Sequence, residues 1–412
     1  MNIRPSCRFC STELTHTFVD LGMSPLCESY VPASDLHKME PFYPLHVYVC
    51  DNCFLVQLLE YVSANDIYSK YAYFSSYSDS WLEHAKEYVN MITEKLGLGP
   101  NNQVIEIASN DGYLLQYFVK KGIPVLGVEP AANVAPAAEK KGVKTVVKFF
   151  GQQTAQELVA EGVQADLLLG NNVLAHVPDI NDFVKGMKIL LAADGVITME
   201  FPHLVRLMIE NQFDTIYHEH FSYLSFTTVS SIFAEHGLSV FDVEKLPTHG
   251  GSLRIYGCHA ENTKRSVASR AKDLLAEENV FGIERLKTYT SFTEQVKKTK
   301  HKLLSLLIDL KDQGNSIANY GAAGKGNTLL NYCGIRDDII DYAVDRNPYK
   351  QGKYLPGTRI PIFHPDKIKE TKPDYVMIIP WNLKEEIMKQ NAFIRDWGGK
   401  FIVPIPEPKV IE

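Results

Sequence analysis

Five short apolar runs, "QVIEIAS", "PVLGVEP", "TVVKFF", "ADLLLGNN" and "GVITMEFP", follow one another between residues 103 and 202. Each is trailed by a stretch that suits a helix or a loop. Runs this short, bounded by Gly, Pro and Asn, read as strands. Strands alternating with helices indicate a doubly wound parallel sheet, whose ligands bind beyond the carboxyl ends of the strands. Just upstream, "WLEHAKEYVNMITEKLG" has the spacing of an amphipathic helix closed by Gly97. A second βα pattern, "SIANYGAAGKGNTLLNYCG", "IIDYAVD" and "DYVMIIPW", predicts a smaller open α/β domain near the C-terminus. Residues 262–313, rich in Lys, Glu and Leu, predict one or two long helices between them.

The first 70 residues follow another logic. "CRFC" (Cys7, Cys10) and "CDNC" (Cys50, Cys53) are two CxxC knuckles. Together they supply the four thiolates that a structural Zn²⁺ takes in tetrahedral geometry. The 39 residues between the knuckles exceed the usual spacer of about 15–20, so a small domain is inserted there. Cys27, His16, His37 and His46 are spare ligand candidates without paired spacing. Seven cysteines, an odd number of which four are paired as CxxC, fit a reducing compartment with a metal site better than a disulfide framework. A redox role is disfavoured because neither pair leads into a βαβ unit.

With 412 residues, the chain is long enough for two or three domains with cores of their own. Its net charge of −7 gives no general attraction to nucleic acid or acidic membranes. No apolar run approaches the roughly 20 residues that span a bilayer, and "MNIRPSCRFC" has no apolar leader segment. A cytoplasmic monomer is expected.

The turn after the first strand of the α/β region reads "EIASNDGYLL". The strand ends at Glu106, and Ala108, Asn110 and Gly112 stand where alternating glycines are common. Asn110 tolerates positive φ and Ala108 is small, so the backbone can still turn tightly beside a ligand. Glu129, at the end of the second strand about 20 residues further on, is placed to accept both hydroxyls of a ribose. Too few glycines remain to cradle a pyrophosphate, which favours S-adenosylmethionine over NAD. In "GNNVLAHVPD", Asn171 and Asn172 suit the amino-acid end of that cofactor, and His176 faces the same cleft.

"IYHEHFSYLSF" concentrates Tyr217, His218, Glu219 and His220 in four consecutive residues. Read as a strand, it puts both histidines on one face, as a metal site would want. No further ligand stands nearby in sequence, and proton transfer is the preferred reading over metal or polar core. In "YGAAGKGNTLL", the glycines Gly321, Gly324 and Gly326 have the spacing GxxGxG, which is not the dinucleotide fingerprint. A turn of this kind opening a helix, with Lys325 beside it, suits a phosphate. Asp345 at the end of "YAVD" keeps an NAD site open as an alternative.

CxxC…CxxC, "YAYFSSYS", "EIASNDGYLL", "NNVLAHV", "YHEHFSYLS", "HGGSLR" and "YGAAGKGNTLL" occur in this order over nearly the whole chain. The sequence thereby resembles the sugar C-methyltransferases that act on nucleotide-linked 4-keto deoxyhexoses, the tetronitrose 3-C-methyltransferase type. The resemblance implies an N-terminal zinc domain (1–70), a Rossmann-like class I methyltransferase domain that binds S-adenosylmethionine (71–261), and helices leading into a second α/β domain (262–412). It implies His220 as general base, with Tyr217, Glu219, His176 and Tyr71 around it. Glu106, Ala108, Asn110, Gly112, Tyr113, Leu114, Glu129, Pro130, Asn171 and Asn172 would hold the cofactor. Ser75, Ser76, His249, Lys325 and Asn327 would hold the sugar nucleotide, and Cys7, Cys10, Cys50 and Cys53 the zinc. The chemistry is consistent: a sugar carbon becomes a nucleophile only beside a carbonyl, and histidine titrates near the operating pH. O-methylation of a sugar nucleotide, an NAD-dependent oxidoreductase or epimerase, and a non-catalytic binding module are the competing readings.

Overall fold

The computed structural model describes residues 5–68 and 75–412; Tyr71 lies outside the described residues. The five apolar runs form strands β1 (Val104–Ile107), β2 (Val125–Val128), β3 (Thr145–Val146), β4 (Ala165–Asn171) and β5 (Leu191–Pro202). They pair in parallel, β1 with β2 and β4, β2 with β3, β4 with β5. All four residues of β1 are buried, three of them apolar and the fourth Glu106, as expected of a strand in a sheet with helices on both faces.

The sequence pattern stopped at β5, but the sheet does not. Strands β6 (Leu238–Leu246) and β7 (Ser252–His259) extend it, β7 running antiparallel to both β5 and β6. The order is β3-β2-β1-β4-β5-β7-β6. It reverses between β1 and β4, the place where an open sheet of this kind opens a crevice at the strands' carboxyl ends.

The predicted helix spans Asp79–Leu96. Ser78 caps it by accepting the Trp81 N–H at 3.3 Å, and Gly97 closes it at φ 64°. Its buried residues Ala85, Tyr88, Val89 and Ile92 form one face, packed in the same core as Leu167, Leu169 and Tyr256.

A second parallel sheet comprises β8 (Ile317–Tyr320), β9 (Tyr342–Val344), β10 (Ile362–Phe363), β11 (Tyr375–Ile378) and β12 (Lys400–Val403), with β13 (Lys409–Ile411) antiparallel at its edge. Its order is β10-β9-β8-β11-β12-β13. The Lys/Glu/Leu-rich stretch before it resolves into three helices, Ser269–Phe281, Leu286–Thr290 and Phe292–Asp312. Among the described residues no helix is long and apolar enough to cross a membrane.

The chain forms two compact units, each discontinuous in sequence. Met1–Leu14, Cys50–Leu204 and Phe221–Glu284 make the first, with the cysteine knuckles and the seven-stranded sheet. Thr15–Val49, Val205–His220 and Arg285–Glu412 make the second. In the second, His16–Ser24 pairs antiparallel with Tyr43–Val49.

In the first unit, helices Gln152–Ala160 and Ile180–Leu190 approach so closely that a Cβ on Gly186 would meet the Gly151 carbonyl carbon at 2.7 Å and its oxygen at 2.8 Å. Backbone cannot yield as a side-chain tip would. Gly186→Ala should therefore cost about 1–3 kcal/mol in denaturant unfolding, the usual penalty of overpacking.

Candidate active site

The two cysteine knuckles fold alike. Ser11 N–H donates to Cys7 O at 2.9 Å and Cys7 N–H to Thr12 O at 2.7 Å; Phe54 N–H donates to Cys50 O and Cys50 N–H to Leu55 O, both at 3.0 Å. Ser11 and Phe54 take the same left-handed turn, φ 62° and 58°. The four sulfurs lie within 4.8 Å of one another, with Cys7–Cys53, Cys10–Cys50 and Cys10–Cys53 at 3.5 Å. A tetrahedral zinc with Zn–S near 2.3 Å needs sulfur separations of about 3.8 Å, so the donor set fits the metal. None of the seven cysteines is in a disulfide. The Gln57 amide donates to Cys7 Sγ at 3.1 Å, an outer-shell contact that favours thiolate. Cys27 is not part of the cluster.

Beyond β1 the backbone turns left-handed at alternate residues, Ala108 (φ 57°), Asn110 (φ 49°) and Gly112 (φ 72°). Buried Glu129 anchors this turn: its oxygens accept from Asn110 N at 2.9 Å and Ala131 N at 2.8 Å. Burial raises its pKa and the two amides oppose that rise. A carboxylate has about four acceptor positions, so two remain for hydroxyls. Glu106 is fully buried, and neither of its oxygens meets a partner of regular hydrogen-bond geometry among the described residues. Burial, then the Glu129 charge, pushes its pKa well above the ordinary carboxylate range, against a lowering influence of Tyr113.

Asn110 Oδ1 accepts from Ser75 N at 3.0 Å, and Ser76 Oγ accepts from Lys141 Nζ at 2.5 Å. Asn171 Nδ2 and Asn172 Oδ1 are buried without a hydrogen-bond partner among the described residues. An unpartnered donor and an unpartnered acceptor are the chemistry that the carboxylate and ammonium of an α-amino acid call for, so the two residues are compatible with the role expected of them. Tyr113 and Leu114 lie in the hydrophobic core, and Pro130 is half-buried. His176 ends a short 3₁₀ turn, its Nδ1 at 2.9 Å from the Tyr68 hydroxyl. All these groups belong to the first unit.

The histidine cluster belongs to the second unit and is a turn, not a strand. His220 N–H closes back on Tyr217 O at 2.9 Å. The two histidines therefore take different partners: His218 Nε2 meets Pro44 O at 3.2 Å, and His220 Nδ1 meets Thr215 O at 2.8 Å. A carbonyl only accepts, so His220 Nδ1 carries the hydrogen, and the basic nitrogen of the neutral ring is Nε2. The Tyr217 ring lies 4.1 Å away, centroid to centroid.

Helix Gly324–Cys333 braces this turn. Thr328 Oγ1 donates to Ile216 O at 2.9 Å, and Asn327 Nδ2 donates to Cys27 O at 2.5 Å. The buried Cys27 thiol donates in turn to Glu219 Oε1 at 3.4 Å. Lys325 is held by Asn382 and lies 4.6 Å from the centre of the Trp381 ring. The Trp381 indole donates to Asp214 Oδ2 at 2.6 Å, and burial raises the Asp214 pKa to about 6.

The glycine turn ahead of this helix is engaged by the chain itself. Ala322 O accepts from Tyr30 and Lys350, and Ala322 N donates to Asp345. A Cβ on Gly324 would stand 3.0 Å from Cys27 Sγ. Sequence reasoning weighed Cys27 only as a spare metal ligand. It missed the buried Glu200, which bonds His84, Arg254 and Thr248, because one acid inside "GVITMEFP" carries no spacing signal.

Three family descriptions match the chain: "Putative zinc binding domain" over residues 7–68, "Methyltransferase domain" over 81–243 and "C-methyltransferase C-terminal domain" over 247–406. The C-methyltransferase NovU of Streptomyces niveus is 36% identical over 411 residues, covering 99% of this chain and 98% of the relative. A ubiquinone biosynthesis O-methyltransferase of Bartonella tribocorum is 26% identical over 97 residues, 23% of this chain and 39% of its own length. Among solved structures, magnesium protoporphyrin IX methyltransferase of Synechocystis with S-adenosylmethionine bound is 16% identical, covers 44% of this chain and 82% of that one, and has a TM-score of 0.33. A likeness that loose carries no further argument.

Protein purified without chelator should contain one zinc per chain by elemental analysis, and metal-free folded protein would refute the assignment. Cys50→Ser should lower thermal stability and solubility before it touches the chemistry. Glu129→Ala should weaken S-adenosylmethionine binding by about 1–3 kcal/mol in calorimetry, the cost of lost charged hydrogen bonds. Equal loss of affinity for the second substrate would instead mark Glu129 as purely structural.

Proposed function

This chain belongs to the C-methyltransferase family, whose members transfer a methyl group from S-adenosylmethionine to carbon, and we propose that its acceptor is C3 of a nucleotide-linked 4-keto-6-deoxyhexose. The observation that carries this reading is the His220 ring, with Nδ1–H committed to the Thr215 carbonyl and Nε2 as the basic atom. A carbon acid needs such a base. A neutral imidazole with its tautomer set from behind is competent to take a proton near neutral pH.

On this reading a ketone at C4 acidifies the C3 proton, His220 removes it, and the enolate carbon becomes the nucleophile. S-adenosylmethionine supplies the electrophilic methyl group and a positive charge. Tyr217, whose ring lies against His220, is proposed to donate a hydrogen bond to the developing negative charge. Glu219, steadied by the Cys27 thiol, orients a hydroxyl or the base. His176, paired with Tyr68, and Tyr71 complete the proposed set. Ser75, Ser76, Lys325 and Asn327 are proposed to hold the sugar nucleotide. Carbon and not oxygen is favoured because the relative that matches along the whole chain is a C-methyltransferase.

Deprotonation is a separate step from methyl transfer, which makes it visible by itself. In D₂O, with a 4-keto sugar nucleotide and S-adenosylhomocysteine filling the cofactor site, the enzyme should wash deuterium into C3 above the uncatalysed rate. His220→Asn keeps much of the shape but cannot take the proton. It should lose exchange and methylation by about 10²–10⁴-fold while still binding both ligands. Undiminished exchange in that variant would move the base elsewhere, and an O-methylated product from the unaltered enzyme would overturn carbon methylation.

A further inference from the structure

His249 was expected on the sugar nucleotide, but its geometry points to the methyl donor. We propose that His249 is a positioning residue for the cofactor site: its Nε2 accepts the Asn172 amide N–H and so fixes Asn172 Oδ1 as the acceptor for the α-ammonium of S-adenosylmethionine. The inference rests on the reading of Asn172 as a cofactor residue and adds to it the device that sets its polarity.

An asparagine amide has two ends of nearly equal shape and opposite polarity. A half-turn about its terminal torsion would present NH₂ to an ammonium group, which has only hydrogens to offer. Something must therefore choose the orientation. Asn172 Nδ2 lies 2.7 Å from His249 Nε2. The amide nitrogen only donates, so the imidazole accepts there and carries its own hydrogen on Nδ1. Oδ1, at the other end of the same amide, is buried and has no hydrogen-bond partner among the described residues.

The backbone of Asn172 is fixed independently. It follows β4 at φ 54°, and its N–H donates to Glu200 O at 2.7 Å. The preceding residue, Asn171, also has a buried unpartnered atom, the donor Nδ2. One donor and one acceptor are what the carboxylate and ammonium of an amino acid call for.

His249 is itself held in a conformation that has no local advantage. Its φ is 54°, and Gly250 and Gly251 follow at 89° and 123°. A left-handed non-glycine residue costs about 1–2 kcal/mol, and such strain persists only where surroundings impose it. Here Thr248 Oγ1 donates to the buried Glu200 carboxylate at 2.8 Å, while Ser252 Oγ returns to Thr248 O at 2.9 Å. Glu200 is anchored by His84 Nε2 and Arg254, each at 2.9 Å. Trp81 touches the His249 ring at 5.2 Å between centroids and stacks on His84 at 5.0 Å. Loop and ring are thus fixed from two sides, both leading back to one buried carboxylate at the carboxyl end of β5.

The test compares two ligands that differ only at the amino-acid end. S-adenosylhomocysteine carries the ammonium and carboxylate, whereas 5′-methylthioadenosine keeps the adenosine and sulfur and lacks both. By calorimetry, His249→Phe should weaken S-adenosylhomocysteine about tenfold, the scale of a hydrogen bond to a charged group. It should leave 5′-methylthioadenosine within about twofold, which also shows that the variant is folded. His249→Gln, which restores an acceptor, should recover most of the loss. Unchanged S-adenosylhomocysteine affinity in His249→Phe overturns the proposal, as does a parallel loss of both ligands. A rise in the KM for the sugar nucleotide alone would return His249 to the substrate. Equal affinity of the unaltered protein for the two ligands would instead remove the Asn172 assignment on which the inference stands.

Discussion

Four thiols within 4.8 Å of one another are a constraint on the whole course of the chain. As thiolates they repel, and only a cation makes their proximity favourable. Cys10 and Cys50 meet at 3.5 Å although 39 residues separate them. Those residues, almost entirely, belong to the second compact unit, so the metal fixes where the chain leaves the first unit and where it returns. The long insertion is cheap: each doubling of a loop adds only about 0.6 kcal/mol of closure entropy. Structural zinc binding supplies about 10–16 kcal/mol. The free energy of the metal site is thus far larger than the entropy cost of closing the long loop between the knuckles.

The sequence made the parallel core legible because its signals are local. A strand buried on both faces is a short apolar run, and each of the five runs became a strand. The helix ending at Gly97 was equally plain, since capping glycine and helical period agree. What escaped was long-range. β6 shows no regular alternation of buried and exposed residues, β7 is buried almost throughout, and it is the antiparallel pairing of β7 with β5, far upstream in sequence, that joins the pair to the sheet. The Lys/Glu/Leu-rich stretch showed helix but not the breaks in it.

The site was legible by residue type and less so by shape. A period of two cannot distinguish a strand from a turn over three residues, so the paired histidines were drawn on one face. The turn closed by His220 N–H on Tyr217 O gives each ring a different backbone carbonyl. That difference matters chemically, because it is the carbonyl behind His220 that sets the tautomer. The contacts of Cys27 and Glu200 escaped for another reason. Each acts on a residue far away in the chain, Glu219 and Thr248 respectively, and a single residue without spacing leaves no trace in the pattern.

The turn after β1 shows how a glycine-rich motif can lose its glycines. The backbone there must take positive φ at residues 108, 110 and 112, and only the last is glycine. A side chain in that region costs about 1–2 kcal/mol for an ordinary residue and less for asparagine. Glu129 accepts the Asn110 and Ala131 amides, and each hydrogen bond to a charged group contributes about 1.5–3 kcal/mol. Only the Asn110 bond reaches the turn, and it is of the size needed to offset that strain; the Ala131 bond holds the carboxylate itself in place. The acid proposed to receive the ribose is thus also the pin that keeps the turn left-handed. A ligand arriving there meets an acceptor already fixed in place, with no side-chain entropy left to lose. What the turn needs is the φ, and an acid on the neighbouring strand can impose it where glycine does not.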